Sequence, residues 1–186
     1  PNYMINGVPN TAFTEALAVI FQHRDRQVLG ISQEDPMTKD LMALENFWSN
    51  YEIMGVSLVD MRVWKWLYEN PEATVPQLKE TVIRIAREVW NSYYAPVFKV
   101  KLSPILAIFC HMIENPLYLP AYPVGHLIQF QVEQYMEGKK LPDEIYRMYT
   151  LGLLAPQVWM KQAVGQPVSI EPVLNATREA LKNVDR

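Results

Sequence analysis

Three prolines set into one short apolar stretch constrain this chain more than any other feature. In residues 108–137, IFCHMIENPLYLPAYPVGHLIQFQVEQYME, Asn115, Pro116, Pro120 and Pro123 lie between two apolar runs. Proline lacks the backbone donor a helix interior needs but is favoured in a first helical turn. The prolines therefore predict two helices with a rigid turn between them. His111 is expected to end the first helix and Tyr122 to stand at the entrance of the second. From Pro123 onward His126, Gln129 and Glu133 recur at spacings of three and four, which puts them on one stripe. Such a turn can hold an imidazole and a phenol for chemistry, or it can simply connect two core helices.

The chain around this turn is long enough, at 186 residues, for one domain with a sizeable core. Hydrophobic residues make up 49% of it and include five Trp and ten Tyr, which argues against disorder. A net charge of −3 points to neither a nucleic-acid partner nor an anionic membrane surface. The apolar runs are too short to span a bilayer; the one after Leu102 is interrupted by Pro104. Cys110 is the sole cysteine, so no disulfide forms within the chain and no thiolate metal cluster is available. One cysteine leaves the compartment open. The first residues, Pro1-Asn2-Tyr3, carry no initiator methionine and no signal-like run, and read as a cut.

Taken in order, residues 1–10 read as an opening loop. Asn10 or Thr11 caps a helix expected to reach about Leu29, stopped by Gly30. Glu15 lies in its early turns between Thr14 and Ala16. There it is either a carboxylate placed near the positive helix end or a metal ligand with small neighbours. Residues 32–37 form a loop. A long helix follows from Thr38, with Leu41, Leu44, Trp48, Tyr51, Leu58, Met61 and Trp64 near helical spacing and a disturbance at Gly55 that marks either a break or a close helix crossing. Asp60 is expected to be solvated or paired with a base such as Arg62. After Asn70-Pro71, a helix starts at residues 74–80 and closes near Tyr93 and Pro96. Residues 97–101 (VFKVK) allow a brief extended piece, and Ser103-Pro104 is expected to begin the helix carrying His111. Helices then follow from near Pro142, from Pro156, and from about Ser169 to Val184, with Gly165-Gln166-Pro167 as a turn. The expected fold is one all-α domain of seven or eight helices.

Familiar catalytic signatures are missing. The sequence has no HExxH, no cysteine–histidine metal pattern, no phosphate-cradling glycine loop and no GxSxG. Cys110 and His111 are adjacent, so on a helix they point about 100° apart. Cys110 is expected to be a small core residue.

Three segments in fixed order, PNTAFTEALAVIF, MGVSLVDMRVWKW and PAYPVGHLIQFQVEQ, separated by helical spacers, resemble the C-terminal half of a peptidase family. That family is the gluzincin zinc metallopeptidases with angiotensin-converting-enzyme-like and oligoendopeptidase-like helical folds. The resemblance runs from about Pro9 to Val184. It implies that residues 1–186 are the C-terminal helical part of a larger catalytic domain. In the family an HExxH helix provides two histidine ligands and the general base, and a glutamate on the next helix provides the third ligand. Glu15 matches that glutamate, and a His₂Glu set leaves a fourth position for water. Tyr122 matches the tyrosine that hydrogen-bonds the developing oxyanion. His111 is the best counterpart of a histidine that contacts substrate or transition state, one residue out of register. His126, on the Tyr122 stripe, is a candidate for substrate contact, the alternative being a core histidine.

The HExxH segment is absent here and is expected just upstream of Pro1. The zinc site is therefore incomplete in this chain, and the upstream half of the same protein is an implied partner. The lysine with which angiotensin-converting enzyme holds a substrate C-terminus is replaced by the neighbourhood of Ile108, Phe109 and Cys110. This favours a broader oligopeptidase acting on peptide substrates, inactive in the present piece alone. A noncatalytic helical module that binds peptides or a protein partner is the alternative.

Overall fold

The computed structural model describes residues 8–28 and 36–184. Among them are nine α-helices and no strand. These are α1 (Thr11–Val28), α2 (Pro36–Glu69), α3 (Val75–Tyr93), α4 (Ala95–Phe98), α5 (His111–Glu114), α6 (Ala121–Met136), α7 (Leu141–Tyr149), α8 (Pro156–Val164) and α9 (Glu171–Val184). The all-α expectation holds. The residues group into two compact units, Pro1–Ser49 with Val124–Arg186, and Asn50–Pro123.

The helix ends follow local chemistry. Asn10 Oδ1 accepts the Ala12 N–H at 3.0 Å, satisfying an otherwise orphaned donor at the start of α1. The Gly30 stop expected for α1 lies outside the described residues. At α3 the Thr74 N–H donates to Gln77 Oε1 at 2.8 Å, half of a reciprocal capping pair, and a proline stands in the first turn. Gly165, at φ 86°, ends α8 in the left-handed conformation and opens the expected turn. Gln131, fully buried, then holds that turn through Nε2 to Pro167 O (3.0 Å) and Oε1 from Ser169 N–H (2.8 Å).

In the unit formed by Pro1–Ser49 and Val124–Arg186, Phe13, Ala16 and Ile20 of α1 are buried with Ile128 and Val132 of α6, Met148 of α7 and Trp159 and Met160 of α8. The Phe13 ring meets Trp159 edge to face, with centroids 5.0 Å apart. In the unit Asn50–Pro123, Val56, Val59 and Val63 of α2 pack with Ile85, Ala86 and Val89 of α3, and with Tyr94, Leu106, Met112 and Leu119.

Several expectations are corrected. Helix α2 runs without a break through Gly55. The Tyr94 hydroxyl accepts the Gly55 N–H (2.9 Å) and donates to Tyr51 O (2.6 Å), two groups that pair with each other in an ordinary helix. A Cβ on residue 55 would run into the Tyr94 ring, so the glycine marks a close approach. The inward face of α2 is set by valines, while Leu41, Trp48 and Met61 are exposed. Residues 97–101 are not extended, because α4 continues to Phe98 and Lys99 turns left-handed at φ 59°. The helix expected from Ser103 is replaced by a 3₁₀ turn, Ile105–Ala107. Just upstream, Trp90 Nε1–H donates to Val100 O and Asn91 Oδ1 accepts the Leu102 N–H, which bind this segment along α3. His111 consequently starts the short α5 rather than ending a long helix.

Candidate functional site

Glu15 and His126 belong to the same compact unit, and a glycine brings their helices together. A Cβ on Gly125 would fall 2.8 Å from Ala12 O and 2.9 Å from Glu15 Cβ. Only a residue without a side chain allows α6 to approach the first turns of α1 so closely. The next residue, His126, then lies within the field of the Glu15 carboxylate. Burial holds the His126 pKa below its ordinary value, His23 pushes it further down, and Glu15 pulls it up. The neutral ring is therefore favoured at neutral pH. Its buried Nδ1 has no hydrogen-bond partner among the described residues.

Further along the same two helices, the predicted stripe of α6 becomes a polar row. His23 Nδ1 of α1 is 3.3 Å from each carboxylate oxygen of Glu133. The fully buried Gln129 donates through Nε2 to Glu133 and lies 3.5 Å from His23 Nδ1. Gly125 thus faces residues 12–16 while Gln129 and Glu133 face residue 23, so α1 and α6 run parallel here. The order along this face is Glu15 with His126, then His23 with Gln129 and Glu133. A void of about 20 Å³ also lies in this unit, lined by apolar side chains including Phe13, Ile128 and Trp159. It has room for about one water and is a packing gap rather than a substrate cleft.

His111 and Tyr122 both lie in the other unit, joined by a residue without any mark in the sequence pattern. The Tyr118 ring stacks on His111 at 6.4 Å and meets Tyr122 edge to face at 5.5 Å. Tyr122 itself sits in the first turn of α6 and packs against the edge of the valine core. His111 Nδ1 is buried and lacks a partner among the described residues. Tyr118 falls in a proline-broken segment, where helical spacing carries no information, so no periodic signal could have marked it. Asp60 departs from the expectation of a solvated or ion-paired residue: it is 0% exposed, and no base pairs with it among the described residues. Cys110 is exposed rather than a core residue, and a hydrogen bond to Glu114 raises its pKa.

The donors suit part of a zinc site. A carboxylate oxygen and a neutral imidazole are both ordinary zinc ligands. Among the described residues, however, no three His, Cys, Asp or Glu side chains converge as a metal would require. Glu15 could supply at most one ligand of such a set. Among the described residues no helix is long and apolar enough to cross a membrane. No family model, no curated protein and no solved structure matches this chain.

Proposed function

We propose that this chain is the C-terminal helical part of a zinc-dependent oligopeptidase that hydrolyses peptide bonds of short peptides. The observation that carries the reading is the Gly125 crossing, which brings α1 at Glu15 against α6 beside a half-buried His126 whose pKa burial lowers. Glu15 acts as the third zinc ligand, completed by an upstream helix with two histidines. Zinc held there would polarise the scissile carbonyl and activate water. Tyr122 donates its phenolic O–H to the carbonyl oxygen as negative charge builds on it, and His111 assists from the same aromatic row. His126 stands beside the ligand and is assigned to substrate contact.

The test is metal content of the full-length protein. Glu15→Gln keeps the size of the side chain but removes the anionic donor. It should weaken zinc binding by at least about 100-fold and abolish peptidase activity with the fold intact. Stoichiometric zinc retained by the variant after dialysis would refute the ligand assignment. A full-length protein that binds peptides without zinc and without hydrolysis would instead establish the noncatalytic reading.

A further inference from the structure

Helix α2 holds the stretch of chain before Tyr122 by three side chains on one face. Ser57 Oγ–H donates to Leu119 O at 2.9 Å, and Trp64 Nε1–H donates to Met112 O at 2.8 Å. Between them, Asp60 Oδ1 accepts the Leu117 N–H at 3.4 Å, and its carboxylate also takes the Leu119 N–H. Residues 57, 60 and 64 are spaced so that they line up along a helix. All of these groups lie within the unit Asn50–Pro123.

Two features show that this grip answers a need. Leu117 has φ 60°, a left-handed conformation that a leucine rarely adopts, and its side chain is 43% exposed. Its own burial does not offset the strain, so neighbouring contacts must fix it. Asp60, meanwhile, is fully buried, with Oδ2 unpartnered among the described residues. Burial raises its pKa, and the groups that pull it back are the N–H of Leu117 and of Leu119. A buried carboxylate met only by backbone donors, with one oxygen unpartnered, contributes little net stability, yet it fixes the peptide groups on either side of Tyr118. That ring stacks on His111 and meets Tyr122 edge to face.

We infer that Asp60 is a positioning residue: by clamping the amides of Leu117 and Leu119 it sets the Tyr118 ring and, through it, the placement of His111 and Tyr122. The structural part stands alone, and the kinetic consequence rests on the peptidase reading. In the full-length protein, Asp60→Ala removes the clamp, whereas Asp60→Asn keeps Oδ1 as an acceptor and should restore it. Hydrogen–deuterium exchange should rise at least about tenfold in peptides covering residues 115–120 of the alanine variant, with α9 unchanged. The asparagine variant should stay within about threefold of wild type. On a fluorogenic peptide, kcat of the alanine variant should fall about tenfold or more with KM nearly constant. Unchanged exchange in residues 115–120, an equal rise in α9, or an asparagine variant as loose as the alanine one would each overturn the inference. If the alanine variant does not fold, Ser57→Ala decides: faster exchange in residues 115–120 supports the clamp, and wild-type exchange refutes it. A wild-type protein without peptidase activity would sink the proposed function, and the exchange result alone would then decide the role of Asp60.

Discussion

Tyr122 is the residue whose chemistry can be tested most cleanly. Under the proposed peptidase reading, Tyr122→Phe in the full-length protein keeps the ring against the valine core and removes only the O–H. Loss of one donor to a developing oxyanion costs about 10²–10³ in kcat, with KM nearly unchanged because the bond belongs to the transition state. Steady-state kinetics, with zinc content and melting temperature in parallel, would show it. Activity within a few-fold of the parent in a folded, metallated protein would reduce Tyr122 to a packing residue. At this scale the sequence is readable where residue type and helical spacing agree, as for His126, Gln129 and Glu133. It misleads where tertiary packing decides. Asp60 is buried against the chain at Leu117, whose N–H it accepts, and nothing in SLVDMRVW announces a partner 57 positions away. Cys110 is exposed because the helix expected to bury it does not form.

At the scale of elements, the contact of α1 with α6 depends on one missing methyl group. Gly125→Ala would place Cβ 2.8 Å from a backbone oxygen, which cannot swing aside as a side chain could. One of the two helices must move, at a cost of roughly 1–3 kcal/mol, measurable by chemical denaturation. A variant as stable as wild type would show that the crossing is looser than described. Most helices are legible from capping residues, prolines and glycines, including the turn at Gly165 and the starts at Leu141 and Pro156. The failures cluster between Val97 and His111. There the chain is directed by Trp90 and Asn91 holding Val100 and Leu102, contacts made by residues of α3 that local pattern cannot reveal. Gly55 reads in the sequence as a break or a close crossing, and the partner that decides for the crossing, the Tyr94 hydroxyl, lies 39 residues on.

For the molecule as a whole, that hydroxyl ties stability to alkaline pH. Burial pushes the Tyr94 pKa from 10.0 up to about 12, so the folded state disfavours the phenolate. The associated stability is complete below pH 10, the unfolded value, and is lost as pH rises through 10 towards 12. The full loss is roughly 2–3 kcal/mol. Urea unfolding at about pH 9 and near pH 12 should show wild type losing that much more than Tyr94→Phe; equal losses would refute it. The same bond also bears on the order in which the chain can assemble. A long helix is ordinarily the most local of structures, able to form from its own residues before anything else has docked. The middle turn of α2 is different, because its ladder passes through an oxygen that reaches it only after α3 has formed and folded back. Closing that turn carries the loop entropy of a 39-residue separation before any bond repays it. The two ends of α2 can wind early, but its centre is a long-range contact and belongs to the late part of folding.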